Sequence, residues 1–355
     1  MVLLFRRVNL AALCGLLLLQ TTPLYADSVL SGYASVVAGR ASNGDEYLAD
    51  YPKAAVYDED WSFSPDSSVG VQLKTDLDND LMFVIQAVSN GASDYDVELD
   101  WAYLSYQLNA EFSIQAGRKR LPLYYYSDFF DVGYAYHWIR VPADNYTWQI
   151  SNYNGVNLQY QSYLNEWDIL VNLYAGREDS RNNDLLSLLS DATVDETWKN
   201  MVGLVVEFSG NWMDFRTTYM QGQIDRSVDG VVIAEDVKQV FSGVSINFNL
   251  NRFVFLSEFN RYERDASDIV IDTSMVSLGY YWGRFTPHIS HSLLKQKHNA
   301  AGGDEYHTTD SVGVRWDYND STAFKIQYDR TEDRGITVPV LGDAEMLSLG
   351  VDFVF

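Results

Sequence analysis

Three aspartates at alternate positions are the first group that could do chemistry. Asp76, Asp78 and Asp80 have the spacing of the first ligands in a calcium-binding loop. Such a loop needs a glycine at its sixth position and a glutamate at its twelfth, where this chain has Leu81 and Ala87. The aspartates therefore indicate a polar turn, and no metal is predicted there.

The histidines give weak support for metal or catalytic chemistry. His288 and His291 are three residues apart in a strand-like segment, so they lie on opposite faces and do not converge on one ion. Ser290 and His291 also point in opposite directions and form no nucleophile–base pair. His298 and His307 lie in a predicted loop. The sequence carries no phosphate-binding loop, nucleophile elbow or zinc-protease motif, and predicts neither an enzyme nor a cofactor.

A run of aromatic residues is the densest group of candidate binding side chains. Large amphipathic rings can form a stacking track for sugars or aromatic solutes, and they can equally pack a loop onto a wall. Packing is the favoured interpretation, and the stacking track stays open as the alternative. The run comprises Tyr124, Tyr125, Tyr126, Phe129, Phe130, Tyr134, Tyr136 and Trp138.

Composition and the N-terminus restrict the class of protein. The formal net charge of −24 argues against nucleic acid as a partner, because phosphate binding needs clustered Lys and Arg. Arg6 and Arg7 precede an apolar run over 10–19, which predicts a cleaved secretory signal over 1–26. The remaining 27–355 contain no cysteine and no apolar run of 18 residues, so neither disulfides nor membrane helices are predicted.

Alternating hydrophobicity predicts the elements that position these residues. One face of 309–318 carries Val312 and Trp316, and the other carries Arg315; a lysine or arginine facing lipid at mid-membrane would cost about 2–4 kcal/mol. The charged face therefore faces an interior that contains water. Sixteen such segments occur, at 28–39, 67–76, 80–89, 97–108, 111–118, 154–163, 166–176, 200–209, 211–220, 239–249, 252–262, 272–281, 284–294, 309–318, 320–330 and 345–355.

The links between these segments alternate in length. Short links rich in Asn, Asp and Gly are typical of tight turns, and they fall at 77–79, 109–110, 164–165, 210, 250–251, 282–283 and 319. The longer links are 40–66, 90–96, 119–153, 177–199, 221–238, 263–271, 295–308 and 331–344. This order predicts an all-β, antiparallel up-and-down transmembrane barrel with short turns at one end and long loops at the other. A soluble β-sandwich would leave strand edges to protect.

The last strand is apolar at every second position and ends on Phe355, which predicts closure of the barrel against 28–39. Sixteen strands leave an aqueous channel rather than a packed core. The default function is therefore a pore, and the aromatic link 119–153 is predicted to fold into it.

These features together resemble the general diffusion porins of Gram-negative outer membranes. The resemblance rests on the signal segment, sixteen strands, the long link after the fifth strand, the segment 116–122 (AGRKRLP) and the terminal Phe355. It implies a third external loop that folds into the lumen and forms a constriction. The Pro-Glu-Phe-Gly-Gly signature of that loop in the family is absent from this chain.

The resemblance also implies site residues. Carboxylates of the constriction loop, with Tyr124 and Tyr126 beside them, would face basic residues of the wall, and opposed charges across a narrow pore sort permeants by charge. The candidate carboxylates are Asp128 and Asp131. The candidate basic residues are Lys74, Arg118, Arg120, Arg216, Arg252, Arg315 and Lys325.

The pore pattern and the resemblance together imply a function and partners. A passive channel for ions and small hydrophilic solutes, mildly cation-preferring, is the first hypothesis; a sugar- or phosphate-selective channel and a barrel-scaffold enzyme or adhesin are the alternatives. By resemblance, the chain is expected to form a homotrimer in outer-membrane lipid, with Phe355 as a signal for the assembly machinery. Acidic loop residues could hold divalent ions that bridge lipopolysaccharide, namely Asp45, Glu46, Asp50, Asp58, Glu59 and Asp60.

Overall fold

The computed structural model describes residues 27–42, 46–265, 269–298, 304–335 and 342–355. The predicted signal segment 1–26 lies outside the described residues. Within the described ranges, no helix has the length and apolar character needed to cross a membrane.

Sixteen strands of the described chain form one closed antiparallel barrel, in which each strand pairs with its neighbours in sequence and the last pairs with the first. This confirms the predicted fold class. The strands are β1 Ser28–Ser42, β2 Ser68–Asp78, β3 Leu81–Asn90, β4 Val97–Gln107, β5 Phe112–Arg120, β6 Asn152–Leu164, β7 Trp167–Ser180, β8 Val194–Ser209, β9 Met213–Val228, β10 Val231–Leu250, β11 Phe253–Arg264, β12 Ile269–Tyr280, β13 Phe285–His298, β14 Glu305–Asn319, β15 Thr322–Asp333 and β16 Ala344–Val354.

The two faces of the barrel have the predicted chemistry. On β15, Phe324 and Ile326 are 39% and 47% exposed on the outer face. Lys325, Gln327 and Asp329, which alternate with them, are at most 5% exposed on the inner face. The apolar face is the exposed one, as expected for a wall that contacts lipid rather than water.

Aromatic side chains form a belt on the outer face at the end with the short turns. Trp212 stacks on Phe248 with ring centroids 6.1 Å apart, and Trp316 stacks on Phe285 and Phe324 at 6.1 and 5.3 Å. Such belts mark the level of the membrane–water interface in barrels of this class.

The C-terminus closes the barrel. Phe355 exchanges two backbone hydrogen bonds of 3.0 Å with Gly32 on β1, which extends the pairing of β1 with β16. The Phe355 ring lies over Gly32 so closely that a Cβ there would fall 2.3 Å from the ring. The glycine therefore makes room for the last side chain of the chain, and the predicted pairing of Phe355 with the first strand is confirmed.

We expect Phe355→Ala to impair barrel assembly before it affects permeation, because the ring is the outer-face contact that covers Gly32 at the closing seam. The measurement is the heat-modifiable folded fraction in isolated outer membranes. Phe324→Ala, which removes an outer-face aromatic away from the seam, is the control. Normal folding of Phe355→Ala with altered conductance alone would contradict the expectation.

One predicted long link is wrong. The segment 221–238 is not a loop, because β9 and β10 continue to a two-residue turn at Asp229 and Gly230. Both turn residues have positive φ, 48° and 76°, as a type I′ hairpin requires. Asp-Gly between β-branched residues is a strong hairpin signal. The expected alternation of short and long links instead assigned this segment to a long loop.

Two other long links contain structure of their own and meet above the barrel. The link after β1 holds a short hairpin of Tyr47–Asp50 and Ala55–Tyr57. The link after β7 holds helix α1, Asp184–Ser190, which is capped by the side chain of Asn183. Leu48 of the hairpin and Leu185 of α1 form one buried apolar cluster, so the two links support each other.

Candidate functional site: the interior loop and the outer vestibule

The link between β5 and β6, residues 121–151, is here called the interior loop. It contains three short 3-10 turns, at Ser127–Phe129, Gly133–Ala135 and Ala143–Asn145. Its hydrogen bonds run mainly to inward-facing side chains of β9 and β11–β16.

The beginning of the loop binds partners on β9 and β11, and the end of the loop binds the same partner on β11. The Arg216 guanidinium donates to the carbonyl of Pro122 at 2.9 Å. Glu258 accepts from the backbone N–H of Tyr125 at 3.1 Å and from the hydroxyl of Tyr146 at 2.9 Å. The buried Glu258 carboxylate thus connects the beginning of the loop to its end.

The middle of the loop is held by basic residues of the opposite wall. Lys325 Nζ donates to the carbonyl of Gly133 at 2.6 Å and forms an ion pair with Asp352 at 2.9 Å. Arg315 donates to the carbonyls of Tyr134 and Tyr136 at 2.6 and 2.8 Å. These cations satisfy backbone oxygens that have no strand partner.

Arg140 is a loop residue that binds several wall and link side chains at once. Its guanidinium donates to Asp66 at 2.6 Å, to Asp329 at 2.7 Å and to the hydroxyl of Ser348 at 2.6 Å. Burial opposes its charge, but the facing carboxylates hold the pKa of Arg140 well above its usual range. Arg140 could not be identified as a site residue from the sequence, because a single arginine in an aromatic run gives no signal of its partners.

The aromatic run packs the loop. Tyr124 stacks on Tyr146 with ring centroids 4.3 Å apart. The ring centroid of Trp148 lies 5.0 Å from that of Tyr262 and 5.1 Å from that of Trp198. All five rings belong to one buried cluster. Tyr124 and Tyr126, both predicted site residues, are 6% and 5% exposed, so their rings face protein rather than a solute path.

Asp131 joins the loop to the wall. It forms a close ion pair with Arg120 and lies 3.7 Å from Lys53, while Asp100 lies 3.5 Å from the same Arg120 nitrogen. Burial alone would raise the pKa of Asp131, but Arg120 and Lys53 outweigh it and lower that pKa to about 2. Asp131 and Arg120, predicted to oppose each other across an aqueous pore, are thus in direct contact.

Asp128 has a different environment, since it is exposed. Its carboxylate acts electrostatically on Lys119, Tyr103 and Tyr153, which belong to β4–β6. Lys119 Nζ lies 4.7 Å from the ring centroid of Tyr103. Asp128 is therefore a loop carboxylate that faces the β4–β6 side of the interior. The loop makes fewer contacts with this side.

The remaining predicted wall residues are dispersed. Arg118 binds Glu178 at 2.8 Å near the outer rim. Lys74 is exposed near the short-turn end of β2, and Arg252 is exposed beside the turn into β11, where it reaches the Tyr280 hydroxyl at 3.5 Å. Three others, Arg216, Arg315 and Lys325, hold the loop as described above.

Above Asp131 lies a cavity of about 880 Å³, here called the outer vestibule. Walls come from β3–β7, and Lys53 of the hairpin and Asp184 of α1 contribute to its rim. Seven carboxylates and four basic side chains line it: Asp94, Asp96, Glu98, Asp100, Asp131, Glu178 and Asp184 against Lys53, Arg118, Arg120 and Arg181. The acidic stretch 94–98 was visible in the sequence, but its position at a cavity was not.

Comparisons with known proteins define the class of fold. No family model matches the chain, and no curated protein matches it. Among solved structures it is similar to the outer membrane channel DcaP of Acinetobacter baumannii (TM-score 0.66, 9% identity, 93% of this chain and 97% of that one). It is also similar to the OmpF–daunomycin complex of Salmonella typhi (0.61, 15%, 92% and 97%).

A third similar structure is the anion-selective porin of Comamonas acidovorans, with a TM-score of 0.61 at 13% identity over 93% of this chain and all of that one. At these identities the similarity shows the fold. The chain has the sixteen-strand barrel fold of the outer-membrane porins.

We expect Asp131→Asn to lower the free energy of unfolding at pH 7 by about 2–3 kcal/mol, because it removes the closest counter-charge of buried Arg120 and leaves only Asp100, 3.5 Å away. The pKa of Asp131 is lowered on folding, so its stabilisation is present above the unfolded pKa near 3.8 and is lost as the pH falls towards about 2. The difference in the free energy of unfolding between wild type and variant should therefore decrease as the pH falls from 3.8 towards about 2. Urea unfolding in lipid vesicles at several pH values measures it.

Asp128→Asn is the matched control, because it removes the same charge from an exposed site on the same loop. Its effect should stay within about 0.5 kcal/mol. Equal destabilisation by the two variants, or a difference from wild type that does not change below pH 3.8, would contradict this account of Asp131.

Proposed function

We propose that the protein is an outer-membrane diffusion channel for ions and small hydrophilic solutes. The observation that supports this most is the outer vestibule, a large charged cavity inside a closed sixteen-strand barrel. Barrels of this size are wide enough for an aqueous channel. The proposed path leads from the vestibule past Arg120 and Asp131 and along the β4–β6 wall, where Asp128 faces Lys119.

The charge of the vestibule supports a mild preference for cations. Its lining has seven carboxylates and four basic groups, a difference of three negative charges. A charged cleft with low-dielectric walls raises the local concentration of counter-ions. Of the predicted basic residues, Arg216, Arg315 and Lys325 hold the loop, so they contribute little positive charge to the proposed path.

The alternative functions have less support. A sugar-selective channel would use exposed aromatic rings, and most rings of the aromatic run pack against protein. A barrel-scaffold enzyme would need an accessible reactive group. Ser290 and His291 do not form a pair, since Ser290 accepts from Trp138 Nε1 at 2.7 Å, and the Ser277–His137 contact of 3.0 Å is buried between the interior loop and the wall. The proposal is therefore a channel without covalent chemistry.

We also propose where the protein resides and what surrounds it. Export by the signal segment 1–26 and insertion of 27–355 into the outer membrane follow from the channel proposal. Homotrimer formation and recognition of Phe355 by the assembly machinery rest on the family resemblance alone. Asp58, Glu59 and Asp60 are exposed on the link after β1 and are proposed to face lipopolysaccharide; Asp45 lies outside the described residues.

We expect a KCl gradient across a planar bilayer to give a reversal potential of cation-selective sign. The triple variant Asp94→Asn, Asp96→Asn, Glu98→Gln should shift that potential towards zero, because it removes three of the vestibule carboxylates. Asp58→Asn, Glu59→Gln, Asp60→Asn removes the same charge from an external link that does not line the vestibule and is the control. Anion selectivity of the wild type, or equal shifts from both triple variants, would contradict the proposal.

A further inference from the structure

The external ends of β14 and β15 bring together a histidine and two carboxylates that the channel proposal does not use. His307 and Asp333 are cross-strand partners, and Glu305 lies two residues before His307 on the same face. His307 was predicted to lie in a loop, and the structure places it in β14. One ligand atom from each residue lies within 4.8 Å of the other two.

The distances suit ligands around an ion better than direct hydrogen bonds. His307 Nε2 lies 3.5 Å from Asp333 Oδ1 and 3.6 Å from Glu305 Oε2. A good N–H···O bond is about 2.7–3.2 Å long. A tetrahedral ion with bonds of about 2.0–2.1 Å holds its ligand atoms roughly 3.3 Å apart.

The second nitrogen of His307 is also held. The hydroxyl of Tyr51, on the link after β1, lies 3.2 Å from His307 Nδ1. A metal-binding imidazole commonly uses one nitrogen for the ion and the other for a partner that fixes the orientation of the ring. This arrangement leaves Nε2 directed at the two carboxylates.

Among the described residues, one oxygen of the cluster has no hydrogen-bond partner. The Asp333 side chain is 4% exposed; its Oδ1 accepts from the backbone N–H of Gly335 at 2.7 Å, while its Oδ2 is buried and accepts no hydrogen bond from the described part of the chain. In the described part of the chain, neither Glu305 nor Asp333 forms an ion pair with Lys or Arg. A buried carboxylate oxygen without a donor is costly unless a cation satisfies it.

Gly335 lies directly against the Glu305 carboxylate. The backbone of Gly335 passes so close to Glu305 that a Cβ on the glycine would fall 1.8 Å from Glu305 Oε2. Only a residue without a side chain allows the carboxylate to stay where it is. The two carboxylates are thus held near His307 from both strands.

We propose that Glu305, His307 and Asp333 bind a divalent transition-metal ion of the zinc class, with water completing the coordination. One imidazole and two carboxylates are suitable ligands for Zn²⁺, whereas Ca²⁺ and Mg²⁺ favour oxygen ligands alone. Through Tyr51 the ion would hold the link after β1, whose Lys53 also pairs with Asp131. The site thereby connects the external rim to the base of the vestibule.

The test measures Zn²⁺ binding to the purified full barrel in detergent by calorimetry. The visible absorption of the Co²⁺-substituted protein reports the coordination of the bound ion. We expect one saturable site per chain and a four- or five-coordinate Co²⁺ spectrum. His307→Ala should abolish both signals, and Tyr51→Phe should weaken binding about 10–100-fold, because it removes only the partner of the ligand.

His291→Ala is the control, because His291 is exposed on the outer face beside a single carboxylate, Asp310, at 2.8 Å. It should bind Zn²⁺ like the wild type. Heat-modifiable mobility shows whether each variant is folded. No saturable binding by the wild type, or undiminished binding by folded His307→Ala, would overturn the proposal, and a wild-type Co²⁺ spectrum of the hexa-aqua ion would do the same without any variant.

Discussion

The ion pair between Arg120 and Asp131 is the interaction on which the interior depends. Arg120 is the last residue of β5, and Asp131 lies near the middle of the interior loop, so their contact fixes where the loop turns across the barrel. Because both side chains are only 7% exposed, forming the pair costs desolvation free energy. Removing one of the two partners costs more, because the other charge stays buried. Lys53 brings a second external link to the same carboxylate.

The two sides of the barrel interior differ in how many contacts they make with the loop. Beyond Asp131 the loop follows β11–β16, where Arg315 and Lys325 bind its backbone and Glu258 accepts from the hydroxyl of Tyr146. A loop backbone folded against a barrel wall needs partners for its N–H and carbonyl groups, and charged wall residues supply them where water does not reach. On the β4–β6 side the contacts are fewer, and the vestibule opens there.

The sequence was sufficient for the architecture, because period-2 alternation reports directly which residues face lipid. It also located the aromatic loop and the closing strand. It could not assign the wall residues, because alternation shows that Lys325 faces inward but not that it meets Gly133, 192 positions earlier. The hairpin at Asp229 and Gly230 could have been predicted from its turn residues. The cluster of Glu305, His307 and Asp333 depends on cross-strand register, which hydrophobic periodicity alone does not fix.

Liposome swelling shows whether a solute path remains open beside the interior loop. Proteoliposomes containing the wild-type protein should swell in solutions of small neutral solutes, and the rate should fall steeply as solute size increases, because the loop occupies much of the lumen. Absence of swelling with every solute, while the barrel is folded by heat-modifiable mobility, would contradict the account and would favour a closed scaffold instead.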